Sequence, residues 1–176
     1  MKIQTVHFGE RDIDEGSVIT LIGGLPGFSE KNRFALLPEE LDPPVFYFLQ
    51  SIDDPDLAFT VSFSQKFGIS YSDTLLSVSE MQALGLNHFS DAIVLLLISE
   101  NRDHPHRRQF DPKFIPHITN PLIVNPAERK ALYKALPGVQ CTAVVSALSG
   151  ENSDPEKSRE DYLRFLAMMQ AGIKLP

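Results

Sequence analysis

The chain has a single cysteine, Cys141, among its 176 residues. No intrachain disulfide can form, which excludes a disulfide-stapled secreted scaffold and makes a reducing cytoplasm the expected home. It also lacks any apolar run approaching the roughly 20 residues of a membrane-spanning helix. The longest strongly apolar run, "AIVLLLIS" at 92–99, has the length of a strand. The opening "MKIQTVHFGERD" carries an early lysine but no apolar centre and no small-residue cleavage site, so it does not read as a signal peptide. Basic residues are few: 16 Lys and Arg stand against 23 Asp and Glu, a formal net charge of −7. Nucleic-acid binding needs a Lys/Arg footprint that displaces phosphate counterions, so direct nucleic-acid binding is not expected, and nor is a membrane partner. The one basic cluster, "HPHRR" at 104–108, lies among polar residues and reads as a solvated loop. An acidic protein can still associate with a basic protein partner.

Catalytic and cofactor motifs are missing as well. "GGLPG" at 23–27 has neither the Lys-Ser/Thr pair of a phosphate-binding loop nor the spacing of a dinucleotide fingerprint. It reads as a structural turn, in which Gly24 and Gly27 permit positive φ and Pro26 presets its own φ. His104 and His106 have the spacing that shares one strand face, and His117 would complete three zinc ligands. Pro105 weakens that strand, however, and solvated histidines are the plainer reading. No metal or cofactor is expected. Cys141 sits in "GVQCTAVVSALSG", which reads as a buried strand where cysteine packs rather than reacts.

What remains is a chain with 43% apolar residues, enough for one domain with its own core. Short runs rich in Val, Ile, Phe and Tyr are separated by Pro, Gly, Asp and Asn: "MKIQTVHF", "SVITLI" (17–22), "RFALL" (33–37), "VFYFLQ" (45–50), "LAFTVSF" (57–63), "AIVLLLI" (92–98) and "PLIVN" (121–125). This pattern predicts a mainly β fold, a small barrel-like domain of antiparallel strands with short helices. In "SVSEMQALGL", Ser77 and Glu80 have capping-box spacing and Gly85 suits the helix end. "PAERKALYKALPG" places Pro126 at a first helical position and predicts a second helix ending at Pro137–Gly138. A third is predicted near the C-terminus over 155–171, with Asp154 as cap and Tyr162, Phe165, Leu166 and Met169 as one apolar stripe. The expected organisation is a β-barrel domain over 1–150, then a polar connection and amphipathic helix over 151–176.

The stretch "LQSIDDPDLAF" at 49–59 places three aspartates between two apolar runs. Paired catalytic acids would face each other across a substrate, and a calcium loop would carry a glycine and a distal glutamate. Acids this crowded fit a turn, since Asp bonds nearby backbone N–H groups and Pro55 presets φ. Their carboxylates are expected outside. Gln50, Asp53, Asp54 and Asp56 form the candidate docking set for a basic partner, although turn chemistry alone explains the same aspartates.

Taken in order, "GGLPGF" (23–28), "RFALLP" (33–38) and "FYFLQSIDDPDLAF" (46–59) resemble the flagellar assembly factor FliW family. "MKIQTVHFGE" at the start, Tyr71, "EMQALGL" and "NPLIVNPAERK" (120–130) match in place, so the resemblance covers roughly residues 1–130. It implies a small β-barrel-like fold without enzymatic activity. It also implies two protein partners: flagellin, held before export, and CsrA, a dimeric RNA-binding repressor of flagellin translation that the freed factor binds. A monomer is expected ahead of a homo-oligomer. Against the family pattern, Ala127 to Gly138 reads as an insertion. A related binding module with other clients and a small metal-dependent enzyme are the alternative readings.

Overall fold

Short apolar runs broken by turn residues decide the architecture, because each run is long enough for a strand and too short for a packed helix. The computed structural model describes residues 1–40, 44–100 and 114–136. Ten strands follow one another in these segments: β1 (Lys2–Thr5), β2 (Gly9–Asp12), β3 (Ile19–Ile22), β4 (Arg33–Pro38), β5 (Tyr47–Ser51), β6 (Ala58–Phe63), β7 (Ile93–Glu100), β8 (Phe114–Pro116), β9 (Leu122–Asn125) and β10 (Lys130–Tyr133). One α-helix, α1 (Val78–Leu84), precedes β7.

The strands β6-β5-β4-β3-β10-β9-β7 are hydrogen-bonded in that order, and β7 returns to β6 through Val61↔Leu97 and Phe63↔Leu95. The sheet therefore closes into a seven-stranded barrel, which removes the exposed edges an open sheet would carry. β8 pairs with the far end of β7, and β1 with β2 makes a separate hairpin. An all-antiparallel barrel was the expectation; the ladder between β10 and β3 is instead parallel, with Ala131 opposite Leu21. The parallel ladder follows from closure, which brings the last strand of the ring beside the first.

Ile19, Leu21, Phe34, Leu49, Val61, Leu95, Leu122 and Val124 fill the interior. Each large side chain of this kind contributes about 1.5–3 kcal/mol on full burial. Outside the barrel, Val94 and Ile123 pack beneath Leu76, Leu84 and Leu86 of the helical segment. Both faces of β9 are thus covered, which is why Leu122, Ile123, Val124 and Asn125 are all buried.

α1 begins and ends as its sequence predicts. The Ser77 hydroxyl accepts from the Glu80 N–H, the Glu80 carboxylate accepts from the Ser77 N–H at 2.8 Å, and Gly85 takes φ 73°. Asn125 then ties this helix to the sheet. Its side-chain amide donates to the carbonyls of Leu84 and Gly85 at 2.9 and 3.1 Å, and its side-chain oxygen accepts from the N–H groups of Ala127 and Glu128.

That last pair of bonds explains a correction. The helix predicted from Pro126 does not form. Residues 126–129 make a turn, Arg129 adopts φ 53°, and β10 follows, paired with β9 on one side and β3 on the other. Good helix-forming residues lose to two strand ladders and a buried Ala131, a case of tertiary context overriding local propensity. The described part of the segment read as an insertion, residues 127–136, includes β10, a stave of the barrel. The cysteine-containing stretch 138–150, His104, His106, the basic cluster 104–108 and the predicted helix at 155–171 lie outside the described residues.

Lys134, just past β10, donates to both Glu80 carboxylate oxygens at 2.6 and 2.8 Å. The Lys134 hydrogen bond is the main cause lowering the Glu80 pKa, followed by the Ser77 backbone bond. A depressed carboxyl pKa contributes stability above its unfolded value and loses it as pH falls through the folded value. Glu80→Gln keeps a capping-box acceptor but removes the charge. It should cost up to about 1 kcal/mol near pH 7, as a partly exposed ion pair does. The difference from wild type should begin to shrink as pH drops below the ordinary glutamate value of 4.5 and vanish only once pH has fallen through the lowered folded value. Urea unfolding across that range checks this; a pH-independent difference would contradict it.

Candidate partner-binding face

Three separated stretches of sequence meet at one end of the barrel: the glycine-rich turn after β3, the start of β4, and the loop between β5 and β6. In the first, the Phe28 N–H donates to the Leu25 carbonyl at 2.8 Å, with Pro26 and Gly27 between them and Gly27 at φ 82°. Gly24 is the constrained position. A Cβ there would lie 2.6 Å from the Ser29 Cα, and its φ is 67°. The turn buries Leu25 and leaves Phe28 40% exposed, edge-on to Phe59 with ring centroids 5.5 Å apart. Phe59 in turn lies against Phe34 of β4.

The acidic loop is built on Ser51. Its hydroxyl accepts from the N–H groups of Asp53 and Asp54 at 3.2 and 3.1 Å, and Asp54 Oδ1 accepts from the Asp56 N–H at 3.2 Å. The Leu57 N–H closes on the Asp54 carbonyl at 3.2 Å. Asp53 and Asp56 are exposed and Asp54 is half-buried. The carboxylates are not all uncompensated. Asp53 accepts from Arg33 through both Nε, at 3.0 Å, and Nη2. Asp54 lies 3.5 Å from Lys31 Nζ. The Asp53 hydrogen bond, and then its charge, raise the Arg33 pKa. Among the described residues Asp56 has no ion-pair partner. A basic partner would therefore meet one unpaired carboxylate and would have to displace Lys31 or Arg33 to reach the others.

Gln50 is placed differently from the aspartates. It is 1% exposed. Its side-chain oxygen accepts from the Val6 N–H at 2.9 Å. Its side-chain nitrogen lies 3.1 to 3.3 Å from four carbonyl oxygens, those of Ser51, Asp54, Pro55 and Leu57. Only the NH2 end of the amide can face four acceptors, and its two hydrogens are shared among them. Gln50 thus fixes the acidic loop from beneath and pins it to the chain following β1. Spacing gave no sign of this, because Val6 lies 44 residues away in sequence. What spacing missed on the outer surface is an aromatic group beside the same strand: His7 stacks on Phe48 at 4.0 Å, and Phe8 lies edge-on to it at 5.4 Å.

His117, the one of the three weighed histidines that is described, has its Nε2 2.5 Å from the Ser99 hydroxyl. Among the described residues no three His, Cys, Asp or Glu side chains are grouped to hold a metal, and no helix is long and apolar enough to cross a membrane.

Residues 2–138 match the family model described as FliW protein. A flagellar assembly factor FliW of Azoarcus sp. (strain BH72) is 31% identical over 147 residues, covering 82% of this chain and 97% of that one. A flagellar assembly factor FliW of Geobacter sulfurreducens is 31% identical over 142 residues, covering 81% and 83% respectively. The crystal structure of the flagellar assembly factor FliW superposes with a TM-score of 0.65 at 22% identity, over 78% of this chain and 90% of that one, a likeness of fold. The region matched by the family model runs past β10 and so includes the hairpin at 122–133.

Gln50→Leu keeps the volume but takes the acceptor from the Val6 N–H and the side-chain donor from the Pro55 carbonyl, while the Asp54 and Leu57 carbonyls keep backbone donors. Each orphaned buried group costs about 1–3 kcal/mol, so the variant should lose at least that much in urea unfolding. Asp54→Ala with Asp56→Ala should lose no more than about 1 kcal/mol, as exposed loop substitutions do. A Gln50→Leu protein as stable as wild type would show that the amide does not organise the loop.

Proposed function

Because this chain belongs to the FliW family of flagellar assembly factors, we propose that it is a non-enzymatic cytoplasmic binding protein with two clients. It holds flagellin before export and, once freed, binds the translational repressor CsrA and relieves repression of flagellin synthesis. The observation that carries this reading is the extent of the family match, which spans every strand of the barrel. The face where the three motifs meet supports it further. That face offers an exposed aromatic, Phe28, beside a rigid loop of mixed charge, features suited to docking a protein rather than to turning over a substrate.

The chain controls an RNA-binding partner from beside the RNA site rather than by imitating RNA. RNA binding requires basic groups facing phosphate. A mimic would need a long run of free acids, and the sequence has none; in the 53–56 loop Asp53 and Asp54 lie beside Arg33 and Lys31, which leaves Asp56 as the one acid of the loop without a cation among the described residues. The bound protein, with its net charge of −7, disfavours RNA by repulsion, overlap or a shifted CsrA conformation. Coupling of this kind is reciprocal, so saturating RNA weakens the protein complex by the same factor. The repulsive part fades with salt, since the Debye length drops from about 10 Å at 0.1 M to about 3 Å at 1 M. The test is the RNA affinity of CsrA at rising concentrations of this protein. The expected result is a loss of affinity that reaches a plateau. A loss that keeps growing in proportion to added protein would mean direct competition and would contradict the adjacent-site account.

A further inference from the structure

A cavity of about 390 Å³ opens outside the barrel, between the chain from Phe63 to Asp73 and the stretch Phe89–Val94, and shares no lining residue with the acidic loop. Ile69 and Val94, which belong to the layer outside the barrel, are buried and give it an apolar floor. Its walls are held in place: the Tyr71 hydroxyl donates to the Ile118 carbonyl at 2.7 Å, and the Asp91 N–H to the His88 carbonyl at 3.1 Å. Two exposed carboxylates, Asp73 and Asp91, line it, and no lysine or arginine does. Among the described residues neither aspartate forms an ion pair. This reverses the situation at the acidic loop, where Asp53 and Asp54 already have cations beside them.

An apolar floor with uncompensated negative charge suits a group that is a hydrocarbon stem with a cationic head, which describes Lys and Arg side chains. The volume lies at the low end of ligand clefts, about 300–1,000 Å³. It admits a side chain and its neighbours but not an α-helix about 10 Å across. A free basic amino acid would bring a carboxylate, and no cation lines the cavity to receive it; a residue within a peptide chain brings none. We propose that this cavity takes an arginine or lysine side chain presented by a protein partner, its stem on Ile69 and Val94 and its charged head at Asp73 and Asp91. The inference rests on the reading of this chain as a partner-binding protein and adds a second contact point away from the three-motif face.

The test uses the full chain, followed by amide NMR, with acetyl-Leu-Arg-Leu-amide as probe. Saturable shifts are expected at Ile69, Ser70 and Ala92. The citrulline counterpart, which has the same shape without the charge, should bind about tenfold more weakly or worse. Asp73→Asn with Asp91→Asn should weaken the arginine peptide similarly while leaving the rest of the spectrum unchanged. Equal binding of the citrulline peptide, shifts confined to other residues, or no shifts would overturn the proposal. Tighter binding of spermidine than of the peptide would also overturn it, in favour of a free polyamine. Calorimetry with purified flagellin and CsrA separates this inference from the functional reading. If wild type binds them and the double Asn variant binds them equally well, the cavity proposal fails and the functional reading stands. If wild type binds neither, that reading fails whatever the peptide does.

Discussion

Ala131 lies opposite Leu21 in the ladder between β10 and β3, and that ladder turns a sheet with two open edges into a ring. It joins the last described strand to a strand more than a hundred positions earlier, so nothing local drives it. Closure itself stabilises it. A buried Ala131 leaves room for the neighbouring interior side chains, and pairing on both sides satisfies the backbone of a strand only four residues long. Much of the outer layer follows from this. β10 carries Lys134 to Glu80, and the turn before it carries the N–H groups that Asn125 accepts while Asn125 caps α1. The helix is therefore fixed to the barrel at both ends by groups of the β9–β10 segment.

Electrostatics divides the surface in a way that net charge alone does not convey. The acidic loop at 53–56 is largely satisfied by its own neighbours: Asp54 turns the backbone, Asp53 holds Arg33, and Lys31 sits beside Asp54. Asp73 and Asp91, separated in sequence and individually unremarked, share the lining of one cavity that has no cation of its own. Attraction for a basic group depends on which charges remain uncompensated after folding, and a count of residues cannot report that.

How much was legible in the sequence follows the range of the interactions. α1 was readable from Ser77, Glu80 and Gly85 because caps act over three or four residues. Strand positions in β3 to β7 and β9 were readable from short runs of Val, Ile, Phe and Tyr set between Pro, Gly, Asp and Asn. The family resemblance was readable from the order of motifs that turn out to be neighbours in space. β10 was misread as helix because Pro126, Glu128 and Lys130 favour one locally, whereas its strand state depends on β3. β2 was not seen at all: its four residues, Gly9 to Asp12, are all exposed, and only pairing with β1 makes it a strand. Gln50 looked like one more polar residue at the edge of an acidic surface. Its burial depends on a contact with Val6 that no spacing rule reaches.

The central claim is that one barrel serves two protein clients in turn, so that release of the first allows capture of the second. The most direct measurement is titration of purified flagellin into a preformed complex of this protein with CsrA, followed by light scattering on a sizing column. The account predicts that CsrA is released as flagellin is bound, mole for mole, with no species containing all three. A stable ternary complex, or failure of this protein to bind either client, would contradict it.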